Sequence, residues 1–189
     1  MSSILNVNTV QTTASRPLLS DASGNHCVGF AQCYMSEITS FSSAVSGNGT
    51  LIEPLTLTIS PKSANNILIM EWMISGEMAT NNLFLIHRNG SLITTAGEQG
   101  YNNVSGNVRY SGIVAAWYDA NNESTPSNFR ITYQCVAGTT DPINFAPAVR
   151  ASGATAGTFY LNRAIGSGTV PYTGQELNVS YGQLFEFTP

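Results

Sequence analysis

Charge is scarce in this chain. Of 189 residues, seven are Lys or Arg and eleven are Asp or Glu, so charged residues make up 10% where ordinary soluble proteins carry about 25%. A single lysine, Lys62, is present. So few cations argue against the basic patch that nucleic-acid phosphates require, and a formal net charge of −4, scattered along the chain, singles out no cationic partner. Long apolar runs are missing too. No stretch approaches the roughly 20 apolar residues that cross a bilayer as a helix. Met1 leads directly into SSILNVN, without a basic start or an apolar run of signal length, so no secretory signal is expected. Cysteines number three (Cys27, Cys33, Cys135), an odd count without CxxC spacing. Buried reduced thiols are the plain expectation, and a Cys27–Cys33 bridge is the alternative. His26 beside Cys27 finds no further ligands at a zinc-like spacing, so no metal and no cofactor are expected. Amphipathic helices of three turns are absent as well.

Small neutral residues fill the space that charge leaves. The chain holds 21 serines, 19 threonines, 18 asparagines and 17 glycines. Five Asn-x-Ser/Thr triplets, at Asn48, Asn89, Asn103, Asn122 and Asn178, follow from that abundance and need no glycosylation. A chain of this length can bury roughly 70% of its unfolded surface, so it needs neither disulfides nor metal to be stable.

Two regions are expected. Residues 1–25 carry a weakly alternating start, MSSILNVNTVQ, and then TTASRPLLSDASGN, which reads as an extended linker. This arm has too little apolar surface to fold alone, and Ile4, Leu5, Val7 and Val10 are its candidate anchors. Residues 26–189 form the body, where strand signals recur at short spacing. LTLTIS alternates, and NFRITYQCV places Phe129, Ile131, Tyr133 and Cys135 on one face. SEITSFSSAVSGNGT carries Ile38, Phe41 and Val45 at helix-like spacing, and its serines and SGNGT ending point equally to a loop or a single turn. The sharpest local signal is Asn89-Gly90 between LFLIHR and SLITT, which predicts a two-residue type I′ hairpin. Eight or more short strands joined by Gly-, Asn-, Ser- and Pro-rich turns predict an all-β antiparallel sandwich of the jelly-roll kind. ILIMEWMI (67–74) and AAWYD (115–119) do not alternate. Their second faces therefore need cover, and a neighbouring subunit is the simplest source. Leu68, Met70, Trp72 and Trp117 are the residues expected at that interface.

LTLTISPKSANNILIMEWMISGE, NNLFLIHRNGSLI and NFRITYQCVAG with GTFYLNRAIGSG, taken in order, resemble a domain common in tail-fibre and other exterior virion proteins of tailed bacteriophages. The resemblance spans about residues 50–166, and SILNVNTVQTTASRPLLSDASGN is similar to the start of such proteins. ELNVSYGQLFEFTP departs from the family's usual closing strand. What the resemblance implies is a trimeric jelly roll, similar in architecture to tumour-necrosis-factor-like heads. It would be displayed on the exterior of a virion, made in the bacterial host cytoplasm, and docked by its arm to other virion structural proteins. No catalytic residue carries over.

The chemistry that the residues offer is thin. Glu71 and Glu77 share a strand, and six residues of strand span about 20 Å, too far for a glycosidase pair. Cross-strand pairs with Glu53, Glu98 or Glu186 stay open. Asp119, Asn121 and Glu123 mimic the start of a calcium loop, but Ser124 and Arg130 stand where its glycine and closing glutamate belong. Tyr101, Tyr110 and Tyr118, with His87 and Arg88 near the hairpin, are candidates for contact with a host surface glycan. The expectation is a non-enzymatic virion structural protein, a capsid decoration or cement protein or a short fibre. A receptor- or glycan-binding tip is the alternative.

Overall fold

The computed structural model describes residues 27–35, 39–42, 48–93, 112–117, 125–152, 157–165 and 176–189. The expected arm, Ile4, Leu5, Val7 and Val10 included, lies outside them. So do Glu98, Tyr101, Tyr110, Tyr118 and the DANNE turn.

Antiparallel strands build nearly all of the described structure, as expected. In chain order they are β1 (Cys27–Met35), β2 (Thr39–Ser42), β3 (Thr50–Leu51), β4 (Leu57–Ile59), β5 (Ile67–Met78) and β6 (Asn82–Arg88). There follow β7 (Ser91–Leu92), β8 (Val114–Ala116), β9 (Ser127–Val136), β10 (Ile143–Ala151), β11 (Thr158–Leu161) and β12 (Ser180–Phe187). A 3-10 turn at Glu53–Leu55, with Pro54 near its start, is the helical element among the described residues. The first sheet runs β1-β12-β5-β9, and β11 and β2 extend it beside the far end of β5. The second sheet runs from β3 and β4 through β10 to β6, with β7 and β8 on the far edge of β6.

The two sheets meet over a continuous apolar core. Leu68, Met70, Trp72, Ile74 and Met78 of β5 and Ile131 and Tyr133 of β9 contribute from one side. Phe84, Ile86, Phe145 and Val149 contribute from the other. Phe84 sits at the centre, edge-on to Phe159 at 5.7 Å and tilted against Phe129 at 4.9 Å. Trp72 is fully buried, and its indole N–H donates to Leu55 O at 2.8 Å, so the ring's polar edge is satisfied. Each large side chain of this kind contributes about 1.5–3 kcal/mol by leaving water.

Strand β5 is long because it serves two partners on one edge. Its first half pairs with β12, from Ile67↔Phe187 to Met73↔Tyr181, and its end pairs with β11 at Gly76, Glu77 and Met78. At the fork a side chain replaces a missing strand. The Ser75 N–H donates to Ser180 Oγ at 2.9 Å, and that hydroxyl donates to Asn162 Oδ1 at 2.5 Å. Asn162 closes the circuit by donating its own N–H to Ser75 O at 2.8 Å. Gly76 is required here, because a Cβ would collide with Tyr160 O and the Phe159 ring.

The strands buried on both faces are not those expected. Along 67–73 of β5, buried residues alternate with half-buried ones. Leu68, Met70 and Trp72 point between the chain's own two sheets, where another copy cannot reach them. Their assignment to a trimer interface is therefore corrected. A strand made of apolar residues on both parities hides which parity faces the core. Continuous burial falls instead on β6 and β10. On the outer face of the second sheet, Leu83, Leu85, His87, Ala146, Ala148 and Arg150 are all buried. The same chain supplies the cover. A Cβ on Gly49 would meet Val149 O at 3.0 Å and Leu85 Cδ1 at 3.4 Å. One on Gly112 would meet Phe84 O at 2.8 Å.

Candidate functional site: the outer face of the first sheet

Three strands of the first sheet present an outer face whose make-up follows from their register. Ile67 lies between Val136 of β9 and Phe187 of β12, and Ile69 lies between Gln134 and Phe185. Next come Glu71 between Thr132 and Gln183, and Met73 between Arg130 and Tyr181. Period-two alternation sends these side chains away from the core that holds Leu68, Met70 and Trp72. Val136 is 56% exposed, and Ile67, Ile69, Met73, Tyr181 and Phe185 are half-buried. Two further apolar residues ahead of β12, Leu177 and Val179, are exposed as well.

Charge enters this face at one place. Arg130 donates to Glu71 Oε2 at 2.6 Å, with its side chain 65% exposed against 20% for Glu71. That hydrogen bond, reinforced by the carboxylate's charge, raises the Arg130 pKa above its ordinary value. An ion pair this open to water adds little to stability. The face thus sets half-buried apolar residues of β5 and β12 beside the exposed Arg130, Thr132 and Gln134 of β9, with one paired charge in its middle.

Among the described residues, the acids weighed as catalysts (Glu53, Glu71, Glu77 and Glu186) each have a separate place. Glu71 is committed to Arg130. Glu77 is buried, and its Oε2 accepts the Ile165 N–H at 2.7 Å. Glu186 is fully buried and accepts the Lys62 N–H at 2.6 Å and the Asn66 side-chain amide at 2.7 Å. Its carboxylate therefore fastens the turn before β5, and Gly29 of β1 leaves room for it, since a Cβ there would lie 2.6 Å from Glu186 Oε2. Glu53 is exposed on the 3-10 turn. Among the described residues, no three His, Cys, Asp or Glu side chains gather in a way that would hold a metal.

Cys27 and Cys33 lie on the single strand β1, six residues apart. Extended chain separates them by about 20 Å, whereas a disulfide needs Cα atoms within about 7 Å, so no bridge joins them. Cys135 forms no disulfide among the described residues. Trp117 follows β8 and is 77% exposed, the most open large apolar side chain among the described residues. Arg88 donates to Ala137 O, and its guanidinium lies 5.6 Å from the Phe145 ring centre, so it anchors the hairpin to the core. His87, expected near a ligand, is buried with its two ring nitrogens 2.8 Å from Asn48 O and 3.2 Å from Gly90 O.

Ile67, Ile69, Met73, Tyr181 and Phe185 went unremarked in the sequence as surface residues. The usable signal was the parity of Glu71, a charge set among apolar residues, which marks the wet side of β5. No protein-family model matches the chain, and a search of curated proteins returns no match.

Proposed function

We propose that this protein is a structural component of a bacteriophage particle, displayed on the virion exterior, whose sandwich is a jelly roll that assembles as a homotrimer. The strand order supports the jelly-roll assignment: β1-β12-β5-β9 face β4-β10-β6-β8, so the chain passes repeatedly from one sheet to the other. The observation that carries the function is the outer face of the first sheet. Val136, Ile67, Ile69, Met73, Tyr181 and Phe185 give it apolar surface on a chain in which only 10% of residues are charged. Faces of this kind mark protein–protein contact. Burying this one against two copies would leave the loops and arm free for other virion proteins. A capsid decoration or cement protein, or a short fibre, is the role we assign to such a trimer.

Solution mass tests the reading directly. One chain is 20.1 kDa, so light scattering should return three times that value. A form lacking residues 1–25 should stay trimeric if the sheet face carries the association. A monomer in both forms overturns the proposal.

Trp117 favours a second reading. An indole this exposed offers a flat apolar surface with a polar edge, which suits stacking on a sugar ring. The protein would then be a fibre tip that contacts a host surface glycan. Saturable binding of host polysaccharide, abolished by Trp117→Ala, would support it.

A further inference from the structure

The chain contains two Asn-Gly dipeptides, Asn48-Gly49 and Asn89-Gly90, and a single side chain, His87, touches both. Asn-Gly is chemically labile, because a glycine nitrogen is unhindered by a neighbouring Cβ and can close on the preceding side-chain amide. The fold treats the two sites in opposite ways. Asn89 and Gly90 have φ of 50° and 79°, the type I′ turn that the sequence predicts. The Asn89 N–H donates to Asn144 O at 2.8 Å, and its Oδ1 accepts the Asn144 N–H at 2.9 Å. Bringing the Asn89 amide carbon onto the Gly90 nitrogen means breaking that side-chain bond in a tight turn.

Asn48 is unrestrained by comparison. It is exposed, precedes β3 in an irregular segment, and its side chain makes no hydrogen bond among the described residues. Its backbone carbonyl, however, accepts from His87 Nε2 at 2.8 Å. That carbonyl and the Gly49 nitrogen belong to one peptide unit. When the nitrogen loses its proton to attack, negative charge spreads onto the Asn48 carbonyl oxygen, where a fixed donor stabilises it. Both ring nitrogens of His87 face carbonyl oxygens, so the ring supplies this donor whenever Nε2 carries a proton.

We propose that Asn48-Gly49 is a self-modification site promoted by His87. The Gly49 nitrogen gives its proton to solvent and bonds to Asn48 Cγ. The bond from Cγ to Nδ2 breaks, and the amide nitrogen leaves as ammonia after taking a proton from water. One water molecule then opens the cyclic imide at either carbonyl, which leaves an aspartyl or isoaspartyl residue at position 48. The product carries one more negative charge, and the isoaspartyl form adds a methylene to the main chain. Both changes fall beside Gly49, which packs on Val149 and Leu85 at the covered face of the second sheet. The reaction therefore loosens that cover as the protein ages.

Site-resolved mass spectrometry after incubation in mildly alkaline buffer tests this, with the same protein in urea as reference. In urea the two sites should react at similar rates. In the folded protein Asn48 should react at least as fast as in urea, while Asn89 is slowed. His87→Phe keeps a flat ring and removes the donor, so Asn48 should slow by about fivefold, the worth of one ordinary hydrogen bond, with Asn89 unchanged. His87→Gln, which can still donate, should recover part of the rate. Asn89 reacting as fast as Asn48 in the folded protein, or an unchanged Asn48 rate in folded His87→Phe, overturns the proposal. If His87→Phe does not fold, the folded and urea rates of the natural chain decide alone, and a slowed Asn48 sinks it.

Discussion

The two sheets differ most on the sides that face away from each other. The outer face of the second sheet, with Leu83, Leu85 and His87 on β6 and Ala146, Ala148 and Arg150 on β10, is buried by the chain's own segments around Gly49 and Gly112. The outer face of the first sheet carries more large apolar residues, yet Val136 is 56% exposed and Ile67, Ile69, Met73, Tyr181 and Phe185 are half-buried. A strand can thus look equally apolar in sequence whether its second face is covered from within or left for another molecule. Cover from within takes loops long enough to fold back, and here it also takes glycines. Gly49 holds φ of 77° and Gly112 sits against Phe84 O, where a side chain would not fit.

Substitutions can break that contrast. The largest effect is expected for Leu85→Asp. It loses a fully buried side chain and strands a carboxylate under the cover, costing at least about 4 kcal/mol. Denaturant unfolding should show little or no folded protein. Gly49→Ala should cost about 1–2 kcal/mol, because the left-handed backbone disfavours a Cβ there and Val149 O crowds it. Its unfolding midpoint should fall without a change in slope. Ile69→Asp sits on the open face and should cost the single chain no more than about 1 kcal/mol. By light scattering it should nonetheless turn a trimer into monomers. A folded Ile69→Asp protein that keeps its mass would show that the first sheet's face is not the contact. The smallest effect belongs to Glu71 and Arg130. A double-mutant cycle to alanine should return a coupling close to the error of the measurement that shrinks further in salt.

How much of this was legible depends on what each residue type reports. Asn89-Gly90 was readable because few residues tolerate two successive positive φ angles. The inward set Phe129, Ile131, Tyr133 and Cys135 was readable because polar residues separate its members, and the structure packs all four against the core. β5 was misread because ILIMEWMI is apolar on both parities, and only Glu71 distinguishes them. β2 lies in a serine-rich stretch with helix-like spacing that reads equally as a loop or single turn, yet it is held as a strand by pairing with β11 from Thr158↔Ser42 to Leu161↔Thr39. That partner is more than a hundred residues away, beyond any local window. Glu186 was beyond reach for a similar reason. Nothing near it in sequence supplies the Lys62 N–H and Asn66 amide that make a buried carboxylate tolerable.

The position of β12 between β1 and β5 also governs timing. Cys27 pairs with Phe187 and Met35 with Ser180, so the earliest described strand waits for the latest to emerge from the ribosome. Until then β1 and the β12-facing edge of β5 leave backbone groups of the described sheet unpaired. Pairings between such distant segments form slowly, so this sheet should close only once β12 has been made.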